Sequence, residues 1–202
     1  PAGLKIMFFS EMWERFGFYL MLGIFQLYLT DAENGGMAME RKSAADIYGT
    51  FIALVYLTPF LGGLIADRKW GYSKSIILGG TLMGFGYLGL SIGTLPTFYA
   101  SLALIIIGNG FFKPNISTLV GNLYNDDKYR AQKDAGFNIF YMGINIGAFI
   151  CNFFAAYLRN SIGWGAAFAS AGIGMFLGVL IFWLGRKTYK HADVIKPAQV
   201  ED

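Results

Sequence analysis

Glu11, Glu14 and Arg15 stand within five residues of one another in a run that, Ser10 and Gln26 apart, is otherwise apolar and aromatic from Ile6 to Leu29. At four apart, Glu11 and Arg15 lie one above the other on a helix face, and Glu14 sits about 100° around the axis from Arg15. Phe18, Tyr19 and Leu22 continue the same side. A charge near the middle of a bilayer costs at least roughly 2.5–3.5 kcal/mol on insertion scales, so three together call for a purpose or for an interfacial position where they snorkel. The chemistry suggested is proton exchange. Burial raises a carboxyl's proton affinity and a neighbouring guanidinium lowers it again, so two carboxylates with one arginine can alternate between proton-bound and arginine-paired states. Glu14 or Glu11 would carry the proton.

Lys113 is the second candidate, near the middle of another apolar run and followed by Pro114 and Asn115. An intramembrane lysine needs an anion, supplied by a carboxylate of another helix or by a substrate. The proline removes a backbone hydrogen bond and exposes carbonyls to a cavity. Tyr56, Thr58-Pro59 and Asn145 are uncharged polar groups in apolar surroundings, suited either to a cavity wall or to a helix–helix hydrogen bond. Asp67 and Arg68 open a basic turn, Asp67-Arg-Lys69-Trp-Gly71-Tyr-Ser-Lys74. An aspartate at a helix end facing such a turn either is simply solvated or forms an ion pair that opens and closes as helices tilt.

The elements that position these groups are read from hydropathy. Of 202 residues, 55% are hydrophobic and 14% charged, far fewer charges than the roughly 25% of a soluble domain. Six apolar stretches, near 6–29, 47–66, 75–94, 97–121, 135–158 and 164–185, each approach the roughly 20 residues that cross a hydrocarbon core. The first, broken by charge, and the fourth, containing Lys113-Pro114, should score lowest. The runs are too long and lack the alternation of barrel strands. Placing the N-terminus in the cytoplasm puts Lys5, Arg68, Lys69, Lys74, Lys128, Arg130, Lys133, Arg186, Lys187, Lys190 and Lys196 inside, against Arg41, Lys42 and Arg159 outside. This bias sets both ends on the cytoplasmic side and requires an even number of spans. The reading is an all-α membrane protein with a six-helix bundle over 1–187, in two three-helix repeats at about 6–94 and 97–185. A cytoplasmic tail or linker follows over 188–202. The connection at 30–46 should be a long, polar, mobile external loop. Glycine pairs four apart (Gly80/Gly84, Gly89/Gly93, Gly143/Gly147, Gly174/Gly178) would let helices approach closely. Cys151 is the single cysteine, so no internal disulfide forms, and it should pack as a small apolar residue. The interrupted first stretch does not read as a cleavable signal.

Taken in order, these motifs resemble those of the proton-dependent oligopeptide transporter family of the major facilitator superfamily. Glu11-Met-Trp-Glu14-Arg15-Phe16-Gly17-Phe18-Tyr19 resembles its E-x-x-E-R-F-x-Y-Y motif. Gly110-Phe-Phe-Lys113-Pro114-Asn115 is similar to its fourth-helix signature, Phe140-Tyr141-Met-Gly-Ile-Asn145-Ile-Gly147 to its fifth, and the Asp67-Arg68 turn to the superfamily's cytoplasmic loop. The resemblance implies symport of di- and tripeptides with protons as the coupling ion and no cofactor. It assigns Glu11, Glu14 and Arg15 to proton coupling, and Arg15 and Lys113 to the peptide carboxylate. Tyr19 and Tyr56 would line the pocket, Asn145 would help hold the peptide's amino end, and Asp67 and Arg68 would serve the cytoplasmic gate. Two positions depart from the pattern. Phe18 lacks the hydroxyl of the motif's first tyrosine, and Leu22 stands where some members carry a second arginine. Family members have two homologous halves with substrate between them. The match is to the N-terminal half, so the implied partners are a C-terminal six-helix bundle and the lipid bilayer, and 202 residues should not transport alone.

Other chemistries find little support. His191, the only histidine, falls in the tail, which argues against histidine catalysis and histidine-rich metal sites, and no Walker motif is present. A net charge of +3 is too small to argue for nucleic acid. A facilitator for another solute such as nitrate, and a six-helix assembly or channel protein, are the rival readings. Glu11, Glu14 and Lys113 together favour peptide.

Overall fold

The computed structural model describes residues 1–194; Lys196 and the remainder of the expected tail lie outside the described residues. All regular structure among the described residues is helical. Six long helices, α1 (Gly3–Thr30), α2 (Arg41–Ile65), α3 (Tyr72–Leu90), α4 (Leu95–Asn122), α6 (Lys133–Ser161) and α7 (Trp164–Leu184), coincide with the six expected stretches. A single four-residue turn, α5 (Asp127–Arg130), precedes α6. At 1.5 Å per residue, the 28 residues of α1 and of α4 span about 42 Å, longer than a hydrocarbon core.

Four segments are long and apolar enough to cross a membrane by length and composition: Arg41–Trp70, Leu95–Asn122, Lys133–Ser161 and Trp164–Thr188. The protein is therefore a membrane protein. The expectation about the weakest stretches needs correcting: α4 passes, at a mean hydropathy of 1.6, and it is α3 that stands with α1 outside this group. Five glycines with Ser73, Lys74 and Ser75 dilute the apolar content of α3 more than Lys113 dilutes that of α4.

α1 packs against α6 and α7, whereas α4 packs against α2 and α3, and the α3–α7 contact joins the two groups. Missing side chains permit these crossings. A Cβ on Gly147 would strike the carbonyl of Met12, and one on Gly143 would come within 2.9 Å of the Phe8 carbonyl, so α6 lies directly on α1. Gly174 and Gly178 do the same for α7 against Phe16 and Ser10, and Gly80 and Gly84 for α3 against α7. Gly93 departs from the packing role: its φ of +75° and open surroundings place it in the turn after α3.

Proline inside a helix leaves a carbonyl without its donor. Pro59 has no N–H for the carbonyl of Val55, and the buried Asn109 side chain of α4 donates to that oxygen at 3.0 Å. Thr58 donates to the Ile106 carbonyl at 3.0 Å, so this residue takes the helix–helix role. α2 then widens into a π-helical turn, Ala66–Trp70, closed by the Gly71 amide donating to the Ala66 carbonyl, and Gly71, at φ +79°, redirects the chain into α3.

The connection between α1 and α2, expected to be external, is shorter and better anchored than expected. It runs only from Asp31 to Glu40, and Met37 and Met39 donate backbone hydrogen bonds to Tyr28 and Leu29. Asp31 accepts from the Glu33 and Asn34 amides and, at 2.7 Å, from the indole of Trp164 at the start of α7. These bonds hold Asp31 below its ordinary value of 3.8, the Trp164 bond being the largest influence. At the opposite end the chain folds back in two 3₁₀ turns, Gly185–Thr188 and Lys190–Ala192. Tyr189 is buried there, stacked on Phe182, with its hydroxyl donating to the Phe182 carbonyl. Asp193 accepts from the Tyr72 and Ser73 amides, capping α3, and Asn122 of α4 donates to the Ala192 carbonyl.

Candidate functional site

Because α1 is covered by α6 and α7, its charged turn is inside the bundle. Glu11, Glu14 and Arg15 are 1%, 0% and 3% exposed, which excludes the interfacial snorkelling alternative for this arrangement. The Arg15 guanidinium grips Glu14 with both Nε and Nη2, and Nε also lies 3.3 Å from Glu11 Oε1. From α4, Lys113 Nζ approaches the same Glu11 oxygen at 3.8 Å, with its own side chain 38% exposed. Two cations thus meet two carboxylates, and one of the cations reaches an open surface. Pro114 and the close Gly62–Gly110 crossing set that stretch of α4 against α2, where Asn115 donates to the carbonyls of Phe111 and Gly62.

The outer side of the guanidinium is aromatic. Its Cζ lies 4.9 Å from the centre of the Phe18 ring and 5.8 Å from that of Tyr19. A cation held by two carboxylates and two ring faces is strongly stabilised, yet the ring faces leave a direction in which it can exchange partners.

The other expected residues fall into two sets. Tyr19, Tyr56 and Asn145 are exposed on the bundle, Tyr56 at 80%. They lie on α1, α2 and α6 and make no contact with the carboxylates among the bonds described. α2 and α6 also carry exposed Phe60, Tyr141, Phe149 and Phe153, an extensive apolar face. Asp67 and Arg68 sit apart from the cluster on the Ala66–Trp70 turn, where Asp67 accepts from the Tyr72 hydroxyl at 2.7 Å.

Three buried polar atoms at or near α1 find no hydrogen-bond partner among the described residues: Ser10 Oγ, Glu11 Oε2 and the Tyr87 hydroxyl of α3. Sequence reasoning passed over Ser10 and Tyr87, and likewise Asn109 and Asp193. The only signal for Tyr87 was a phenol inside a glycine-rich apolar run.

Six long helices enclosing a buried carboxylate–guanidinium–ammonium cluster define an all-helical membrane protein with an ionic site inside its bundle. The family model described as PTR2, POT family, matches residues 73–200, and the chain belongs to that family. It is 40% identical over 189 residues to the uncharacterized transporter YclF of Bacillus subtilis (strain 168), covering 93% of this chain and 38% of that protein. It is also 40% identical over 190 residues to the di-/tripeptide transporter of Lactococcus lactis subsp. lactis (strain IL1403), covering 92% and 38%. A crystal structure of a POT peptide transporter in complex with sulfate superposes with a TM-score of 0.91 at 36% identity, covering 98% of this chain and 42% of that one. A POT family transporter in complex with 5-aminolevulinic acid gives 0.91 at 35% identity, covering 98% and 40%. The chain thus spans about two fifths of the length of the proteins it matches.

Proposed function

We propose that this chain is the N-terminal half of a transporter that moves di- and tripeptides together with protons. The observation that carries the reading is the buried Glu11–Glu14–Arg15 cluster with Lys113 at its open side, in a chain similar to di-/tripeptide transporters. A peptide brings a carboxylate, and Arg15 and Lys113 are the cations able to meet it. As Arg15 turns toward that anion, Glu14 loses two charge-assisted donors inside a water-poor site. Its charge then becomes costly and it takes up a proton. Departure of the peptide returns Arg15 to Glu14 and expels the proton. Binding of one is thereby linked to binding of the other. Tyr19 and Tyr56 would line the peptide pocket, Asn145 would hold its amino end, and Asp67 and Arg68 would serve the cytoplasmic gate.

In this reading the six helices of residues 1–187 span the bilayer as the N-terminal bundle of a major facilitator fold, with both ends cytoplasmic. The packing of α1 with α6 and α7, mirrored by α4 with α2 and α3, supports repeats over about 6–94 and 97–185. The exposed apolar face of α2 and α6 supports docking of a second six-helix bundle, with residues 188–202 leading toward it. Nothing in the cluster calls for a cofactor. The test is uptake of labelled dialanine by the intact transporter in liposomes across a pH gradient. Accumulation should collapse with the gradient and fall at least about tenfold in Lys113→Ala, the loss expected for one charged contact to a carboxylate. Accumulation indifferent to both would overturn the proposal.

A further inference from the structure

Tyr87 is the unexplained group of this site. It is fully buried in α3, and its hydroxyl has no partner among the described residues. Buried hydroxyls are almost always hydrogen-bonded, so an unpaired one marks either strain or a partner in another state. Ser10 can turn its hydroxyl back to a carbonyl of its own helix, and Glu11 already meets two cations. A rigid phenol has no such local remedy.

Its surroundings identify the missing partner. The Tyr87 ring edge lies against Gly17, where an added Cβ would come within 3.2 Å of Cε2. Gly17 is three residues beyond Glu14, so both occupy one face of α1. The phenol oxygen lies within electrostatic reach of both Glu14 and Arg15. The charged and titratable groups around this corner are Glu11, Glu14, Arg15 and Tyr19 on α1, Lys113 on α4 and Tyr87 itself; Tyr19 lies on the outer side of the guanidinium and is partly exposed. α7, which packs on both α1 and α3, carries no titratable side chain, and α6 meets α1 here through Gly143 and Gly147. Tyr48 of α2 meets the Phe25 ring of α1, about three turns farther along than Glu14.

We propose that Tyr87 is the reserve hydrogen-bond donor to Glu14, taking over the carboxyl when Arg15 turns away and so setting the pH at which Glu14 gains its proton. The inference rests on the reading of Glu14 as a proton carrier. Tyr87 keeps its own proton throughout and no bond to it breaks; its O–H points to a Glu14 oxygen that the guanidinium has left. Tyr87 is thus a positioning residue acting through Glu14. A donor to a carboxylate favours the charged form, so its removal makes protonation easier.

The experiment measures the pH midpoint of gradient-driven dialanine uptake by the intact transporter, normalised to each protein's own maximum. Tyr87→Phe should move the midpoint to higher pH by about one unit. Replacing Tyr87 by 3-fluorotyrosine keeps the shape and strengthens the donor, so the midpoint should move to lower pH; this second variant serves if Tyr87→Phe fails to fold. A midpoint unmoved in either folded variant, or moved in the opposite direction, overturns the role of Tyr87 alone. Absence of any pH midpoint in the unaltered transporter overturns the proton-carrier reading on which it rests.

Discussion

At the scale of single residues, the cluster divides its labour by geometry. Glu14 receives both arms of the guanidinium, while Glu11 shares Arg15 with Lys113 and leaves Oε2 unpaired. Glu14→Gln should abolish proton-driven accumulation of dipeptide while exchange of labelled for unlabelled peptide continues, as measured in counterflow; unchanged uphill accumulation would refute the assignment. Arg15→Lys keeps the charge but loses the planar fork that spans both carboxylates, so its driven uptake should fall at least about tenfold. Equal activity would mean that charge alone suffices. The triplet and Lys113 were legible in the sequence because charge is conspicuous against apolar neighbours. Tyr87 was not, since a tyrosine in a membrane helix is ordinary until its hydroxyl proves to be orphaned.

At the scale of elements, the helices are joined by few but specific bonds. Asn109 answers the carbonyl that Pro59 leaves open. Asn109→Leu should lower stability by about 1 kcal/mol, the size typical of hydrogen bonds between membrane helices, and Pro59→Ala in the same protein should recover most of it by restoring the helix donor. Thermal unfolding in detergent measures both, and additive losses would refute the pairing. Asp31 links the ends of α1 and α7 through the Trp164 indole, with its proton affinity lowered in the folded state. Its stabilising effect is therefore complete above the ordinary carboxylate value of 3.8 and fades as pH falls below it. Unfolding temperatures followed from pH 6 to pH 3 should show a drop that Asp31→Asn reduces. Helix positions were readable from hydropathy within a few residues, but the anchored Asp31–Glu40 loop was not, because the bonds that anchor it reach outside it, to the last turn of α1 and to the Trp164 indole of α7.

For the whole molecule, the distribution of burial is uneven: α1 is buried on most sides, whereas α2 and α6 leave Tyr56, Phe60, Phe149 and Phe153 uncovered. The proposal holds that a second bundle covers this face and completes the cavity. Residues 1–202 alone in liposomes should then show no saturable dipeptide uptake, and co-expression with the remaining part of the transporter should restore it. Uptake by the isolated chain at the rate of the intact protein would sink the two-half reading. The strap at 185–194 belongs to this scale as well, since Asp193 caps α3 while the neighbouring Ala192 carbonyl holds Asn122 of α4.

By itself, the sequence determined the helical membrane class, the position of each long helix and the identity of the ionic residues. Each of these follows from local composition: apolar length decides a span, and a charge inside it is costly wherever the chain goes. Only the tertiary structure decided which cation serves which carboxylate, that Asn109 repairs the break at Pro59, that Gly93 turns rather than packs, and that Tyr87 lies against Gly17 of α1 with its hydroxyl unpartnered among the described residues. Those facts depend on which helices cross and where. The crossings are set by glycine contacts summed over several helices, and no single stretch of sequence contains them.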